Sequence, residues 1–279
     1  YPTMVKAADG TEVPVTTAGA YGKYLGHLTL TWDDKGKLIK AEGQPILLDR
    51  HLTRLADGCS RLAIAADIEL IRHELLSYAA VMVEGVLKLI LTRGDGLRGY
   101  APDPAAPGRR ILQGNPPAAY PAVHAEQGIR LFPCNTRLAK QPLLAGLKHL
   151  NRLEQVIARA EWQDSEHAEG LMLDQAGRVI EGVFSNVFLV RDGVLITPDL
   201  KRCGVAGVMR AEILFQAESL AIPTQIADIS LEQLQWADEV FVCNSVYGVW
   251  PVRACAALSW PVGPLTRKLQ TIARALLDT

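Results

Sequence analysis

The chain lacks the marks of several large protein classes. Its five cysteines, Cys59, Cys134, Cys203, Cys243 and Cys255, are scattered, odd in number and without a Cys-x-x-Cys pair. That pattern argues against a disulfide framework or a zinc site and suits a reducing cytoplasm. The six histidines show no His-Glu-x-x-His or comparable spacing, so no metal is expected. No apolar run reaches the length of a membrane span. Neither charge sign dominates: 29 basic residues stand against 30 acidic ones, for a formal net charge of -1. Nucleic acid and anionic membranes therefore find no support as partners. No signal peptide is visible, and the chain opens on Tyr1 instead of Met, which leaves room for residues upstream.

What is present is a globular composition. Hydrophobic residues make up 49 % and charged residues 21 % of 279 positions. A substantial core is possible, in two modest domains or one large one.

Two stretches carry the chemistry. In Leu143-Leu-Ala-Gly-Leu-Lys148-His-Leu-Asn-Arg-Leu-Glu-Gln-Val-Ile157, the residues Leu150, Leu153, Val156, Ile157 and Ala160 recur at helical spacing. That predicts an amphipathic helix with one apolar stripe facing the core. Lys148 precedes the stripe, where a side chain can point into a cleft. Lysine forms Schiff bases with carbonyl cofactors. A solvated lysine at a helix start is the alternative. The second stretch, Glu169 to Val190, reads as a strand, a turn at Gln175-Ala-Gly177 and two further extended runs. Glu181 lies between apolar runs, where an unpaired carboxylate is costly. It calls for a cationic or proton-sharing partner, and a pyridinium nitrogen is one.

Together these stretches resemble the fold-type IV family of pyridoxal-phosphate enzymes. That family includes branched-chain and D-amino-acid aminotransferases and the 4-amino-4-deoxychorismate lyases. Lys148-His-Leu-Asn-Arg-Leu-Glu-Gln looks most like the lyases, and Glu181-Gly-x-x-Ser-Asn-x-Phe is shared across the family. The resemblance implies an α+β fold of two domains and a homodimer. It implies that Lys148 forms the Schiff base with pyridoxal 5′-phosphate and that Glu181 holds the pyridine nitrogen. It also implies a small-molecule substrate: 4-amino-4-deoxychorismate, split to 4-aminobenzoate and pyruvate in folate biosynthesis. An amino-acid aminotransferase with the same Lys148 and Glu181 is the rival reading. Arg152 discriminates, because branched-chain aminotransferases commonly carry tyrosine after the motif asparagine.

The first 49 residues are different. Tyr1-Pro-Thr-Met, Ala18-Gly-Ala-Tyr-Gly-Lys-Tyr-Leu-Gly26 and Gly43-Gln-Pro-Ile-Leu-Leu-Asp49 resemble a 5′-nucleotidase-type metallophosphoesterase. That family's metal ligands would precede Tyr1, so none are carried here. Only Ala20-Tyr-Gly22 echoes the lyase family's active-site loop. The chain reads as a chimera joined near residues 45–49, and an inactive remnant is a further alternative. Alternation over His27 to Trp32 puts Leu28, Leu30 and Trp32 on one face. A turn at Asp33 to Gly36 then leads to a partner strand at Lys37 to Lys40. Residues 1 to about 26 are expected to be poorly packed or extended.

From Asp49 onward the lyase resemblance is continuous. Asp49 is a candidate N-cap for a helix with Leu52, Leu55, Cys59 and Leu62 at helical spacing. His51-Leu-Thr-Arg54-Leu matches the family motif whose arginine binds the cofactor phosphate. Arg50 and Arg61 on the same helix keep an ordinary surface arginine open as the alternative. A second helix is predicted over Ile68 to Met82 and a strand over Val86 to Thr92. The loop that follows, Arg93-Gly-Asp-Gly-Leu-Arg98-Gly-Tyr100, suits an anionic substrate through Arg93 and Arg98, or is a solvated hairpin tip. Three prolines in Asn115 to Pro121 predict a linker between a small domain, 50–114, and a large cofactor domain, 122–279. Cys203 to Arg210 opens a helix running to about Leu220. Such a turn presents backbone N–H groups to an anion. By resemblance the phosphate contacts are the N–H groups of Val208 and Met209, with Met209 in place of the usual threonine. Glu239 to Ser245 is a buried strand. Ser245 matches a phosphate-binding position, or is a strand-ending serine in a turn. Pro264 opens a closing amphipathic helix.

Overall fold

The computed structural model describes residues 47–82, 85–103 and 106–277, with the backbone of four N-terminal strands and of Ile46. The chain divides into two compact units, residues 1–118 with 275–279, and residues 119–274.

In the first unit β1 (Thr3–Lys6) pairs antiparallel with β2 (Glu12–Val15). The hairpin read from the alternation is present as β3 (Gly26–Trp32) against β4 (Leu38–Pro45). Its turn, the Ala20-Tyr-Gly22 echo and the face shared by Leu28, Leu30 and Trp32 lie outside the described residues. Next come α1 (Ile46–Arg61), α2 (Ile68–Val81), β5 (Val86–Thr92) and its antiparallel partner β6 (Arg109–Asn115). Because α1 begins at Ile46, Asp49 stands in its first turn and is not the N-cap. An acid there still meets the positive helix end, and its carboxylate pairs with Arg72 of α2. Leu52 and Cys59 are buried along this helix, as their spacing predicts. Asp67 caps α2 by accepting from the Leu70 N–H at 2.9 Å.

The second unit holds a nine-stranded mixed sheet. Its elements begin with α3 (Ala122–Gln127), β7 (Ile129–Leu138), α4 (Leu153–Arg159), β8 (His167–Asp174), β9 (Val179–Gly182), β10 (Asn186–Arg191) and β11 (Val194–Pro198). They continue with α5 (Val208–Ser219), β12 (Thr224–Ala227), α6 (Leu231–Gln235), β13 (Glu239–Asn244), β14 (Gly248–Cys255), β15 (Leu258–Ser259) and α7 (Pro264–Leu277). The strand order is β12-β11-β10-β13-β14-β7-β8-β9, and β9 also pairs with β10. Six strands, β10, β13, β14, β7, β8 and β9, thus close on themselves. The seam is the pair Asn186–Glu181.

Alternation along the strands separates two cores. Leu171, Leu173, Val179, Val187, Leu189, Val240, Val242 and Trp250 fill one. Met172 and Ile180 point the other way, to Cys134, Ala158, Trp162, Leu200 and Cys203. The two-residue turn between β10 and β11 has positive φ at Asp192 and Gly193, as a tight hairpin of this hand requires.

One prediction from periodicity is corrected. The helix expected over Leu150 to Ala160 shrinks to α4, and its apolar stripe does not face the core. Leu150, Leu153, Val156 and Ile157 are each 58–69 % exposed. The buried positions are Gln155 and Ala158. The reason is that polar groups tie this helix to its surroundings: Glu154 Oε1 accepts from the Ala139 N–H at 2.8 Å, and Gln155 reaches Glu181.

Candidate active site

Lys148 lies in the irregular stretch between β7 and α4, and its side chain is exposed. The backbone on both sides of it is fixed. Arg152 donates through Nε to the His149 carbonyl at 3.0 Å and through a terminal nitrogen to the Leu147 carbonyl at 2.6 Å. Just upstream, the Gly146 N–H donates to Gly204 O at 2.9 Å, and the Ala206 N–H donates to Gly146 O at 3.0 Å. Gly146 and Gly204 have φ of +79° and +85°, where a side chain would be strained. The lysine loop is therefore laced to the segment that leads into α5.

Glu181, on β9, is 3 % exposed. Its Oε1 accepts from Gln155 Nε2 at 3.3 Å, and its Oε2 accepts from the Val205 N–H at 2.7 Å. Both donors are neutral. Burial pushes the carboxyl up to about 7, against the pull of the Val205 hydrogen bond and the positive charges of Arg152 and Lys148. It is a buried acid poised to share a proton.

The third component is the start of α5, a 12-residue helix whose N-cap, Gly207, makes no side-chain capping bond. Its first-turn N–H groups, those of Val208 and Met209 included, have no partner within the helix. Asn186 aims this end. Its Oδ1 accepts from the Gly207 N–H at 3.1 Å, and its Nδ2 donates to Val205 O at 2.8 Å. A Cβ at position 207 would collide with that amide oxygen. Ser245 follows β13 in a half-buried turn, two residues beyond Cys243, the partner of Asn186 across the sheet. It sits at the same end of the strands as Asn186.

The second unit thus gathers Lys148, Glu181, the α5 start and Ser245. Arg54, Arg93 and Arg98 belong to the first unit. Arg54 is half-buried, with a terminal nitrogen 3.3 Å from His51 Nδ1, and burial lowers its pKa. Arg93 donates to the carbonyls of Leu62 and Ala63 just beyond α1. Arg98 is exposed in a short 3-10 turn, Arg98–Tyr100.

The sequence does not mark Asn186, Val205 and Gln155 as site residues. Asn186 stood in the quoted Ser-Asn motif. Val205 acts only through its backbone, which leaves no side-chain signal. Gln155 is a polar residue inside a short helix, and polarity alone does not say which way it faces.

These groups fit pyridoxal phosphate. A lysine next to a buried carboxyl of raised pKa suits a carbonyl and a protonated ring nitrogen. An uncapped helix start on a glycine suits a phosphate. Among the described residues no group of three or more His, Cys, Asp or Glu could hold a metal.

Comparison with known proteins agrees with the geometry. The family model for amino-transferase class IV matches residues 37–255, which takes in β4 and the expected join near 45–49. The aminodeoxychorismate lyase of Vibrio harveyi is 44 % identical over 189 residues, covering 66 % of this chain and 69 % of the relative. The crystal structure of 4-amino-4-deoxychorismate lyase from Pseudomonas aeruginosa superposes with a TM-score of 0.82 at 58 % identity, covering 94 % of each chain. A snake venom 5′-nucleotidase of Naja atra is 44 % identical over 80 residues, which is 29 % of this chain and 14 % of the nucleotidase.

Proposed function

The chain belongs to the amino-transferase class IV family, and we propose that within it this protein is a pyridoxal-phosphate-dependent lyase. Its reaction is the cleavage of 4-amino-4-deoxychorismate to 4-aminobenzoate and pyruvate, a step of folate biosynthesis. The observation that carries the reading is the lacing of the Lys148 loop, Glu181 and the α5 start through Gly146, Gly204 and Val205. The lyase names of the relatives at 44 % and 58 % identity favour this activity over transamination.

Bound here, pyridoxal phosphate supplies a carbonyl to capture the substrate amine and a ring that accepts an electron pair. Lys148 Nζ would hold it and would take the proton from the substrate carbon that bears nitrogen. The same amine then returns a proton to the departing pyruvate fragment. Glu181 keeps the ring nitrogen protonated. The N–H groups of Val208 and Met209 and the Ser245 hydroxyl would hold the phosphate, and the family motif offers Arg54 as a further ligand for it. Arg93 and Arg98 attract the substrate carboxylates.

A second copy of this chain is the proposed partner. The supporting observation is the outward apolar stripe of α4, and Leu143, 79 % exposed, is a further uncovered apolar side chain upstream of it. The cytoplasm is the proposed compartment, in keeping with five cysteines that are all free thiols.

The test is a product assay. The purified protein with pyridoxal phosphate and 4-amino-4-deoxychorismate should release 4-aminobenzoate and pyruvate in equal amounts. Amino-group exchange between an amino acid and an oxo acid, with no aryl amine formed, would establish the aminotransferase instead.

A further inference from the structure

At the start of β7 the second unit holds a cavity of about 400 Å³, lined by His124, Gly128, Arg130, Glu166, Ala168 and Arg253 among others. It is distinct from the Lys148 site. Glu181 faces Met172 on β8, and Met172 is four residues from Ala168, about 13 Å at the rise of a strand.

The backbone around Arg130 is specialised on both sides. On β14, Val252 pairs with Ile129 and Ala254 with Arg130, so Arg253 is an extra residue between them. On β8, His167 pairs with Arg130 and Glu169 with Leu131, so Ala168 is extra there. Both pairings are parallel. Bulges are rare in parallel pairs, favour the neighbourhood of functional sites and re-aim the extra side chain. Here two of them flank one arginine, and both extra residues line the cavity. Gly128 adds a third departure, with φ of +82° and no room for a Cβ beside Pro251 O.

The charge is positive on balance. Arg130 and Arg253 share the lining with one carboxylate, Glu166, which forms a loose ion pair with Arg130, its Oε2 4.0 Å from Nε and beyond hydrogen-bond reach. His124 stands edge-on to Trp250, with ring centroids 4.9 Å apart, and burial holds its pKa down, so it adds no charge at neutral pH. Val123 and Ile129 supply apolar wall. The volume is in the range of small-molecule sites and exceeds what a bare ion needs.

We propose that this cavity binds a small organic anion, with Arg130 and Arg253 gripping a carboxylate or phosphate group. Guanidinium forks match either group.

The test uses the cofactor-loaded enzyme titrated with sodium benzoate and, separately, with inorganic phosphate. Calorimetry and Trp250 fluorescence are the readouts, since that ring touches His124. Saturable binding of either probe is expected, and the stronger probe tells carboxylate from phosphate. Arg253→Ala should weaken binding about tenfold or more, the scale of a lost charge-assisted contact. Turnover of the loaded enzyme should stay at the wild-type rate, because Arg253 is exposed and outside the Lys148 site. Arg253→Lys should recover part of the affinity. Binding of neither probe, or binding that Arg253→Ala leaves unchanged, would overturn the proposal.

Discussion

The backbone N–H of Val205 donates to Oε2 of Glu181 at 2.7 Å, and this one bond joins the two halves of the site. Val205 sits between Gly204 and Ala206, the residues that hold the lysine loop through Gly146. The buried carboxyl and the Lys148 loop are therefore held by the same three-residue segment.

Glu181→Gln tests the carboxyl. The amide can still accept from Val205, and its NH₂ can meet Gln155 Oε1, which is buried and has no hydrogen-bond partner. The fold and cofactor binding should survive. The rate should fall by about 3 kcal/mol of barrier, as for other preorganised electrostatic contacts, because a neutral amide cannot hold a protonated ring nitrogen. Steady-state turnover is the measurement, and wild-type turnover would make Glu181 a structural acid.

Asn186→Ala should release the α5 start. Two hydrogen bonds, to Val205 O and from the Gly207 N–H, are lost, at a cost of about 1–3 kcal/mol for the groups left unpaired. Pyridoxal phosphate should bind more weakly, while pyridoxal without its phosphate should bind nearly as before. Equal losses for both ligands would show that Asn186 supports the whole site and not the phosphate end.

Arg54→Ala asks whether α1 contributes to the same phosphate. The expected result is again a selective loss for the phosphorylated ligand, of about tenfold or more for one charge-assisted contact. Unchanged affinity would remove Arg54 from the cup and leave it the surface arginine its neighbours Arg50 and Arg61 suggest.

Much of this was legible in the chain and some was not. Apolar runs and turn residues located β5, the turn at Gln175 to Gly177 and the buried β13, because strand and turn chemistry are local. Asp49 misled by four residues, since the helix already begins at Ile46. The stripe Leu150 to Ile157 misled more. Periodicity reports that an apolar face exists, not what covers it, and α4 turns Gln155 and Ala158 inward. Lys148 and Glu181 came from motifs. Their connection did not, because it runs through backbone groups of Gly146, Gly204 and Val205 that have no side-chain signature.

Glu169 gives a pH prediction. It is fully buried and accepts from the N–H groups of Gly170, Val183 and Phe184 and from Ser185 Oγ, at 2.7 to 3.3 Å. Burial outweighs these bonds and pushes its carboxyl up from 4.5 to about 7. A raised carboxyl binds its proton more tightly folded than unfolded. Its stabilisation is therefore complete below about pH 4.5 and is lost as pH rises through about 7. Glu181 acts in the same direction in cofactor-free protein. The melting temperature of cofactor-free protein should fall across this window, and Glu169→Gln should flatten the fall. A rise over the same window would contradict the assignment.

The central claim is that Lys148 is the residue that carries the cofactor. The direct measurement is borohydride reduction of the loaded protein, followed by proteolysis and mass spectrometry. The account predicts that the visible absorbance disappears and that one peptide, the one containing Lys148, carries the reduced cofactor. Lys148→Ala should show neither signal while keeping its fold, because the side chain is exposed and supports no core. Label on another lysine, or visible absorbance that persists in Lys148→Ala, would contradict it.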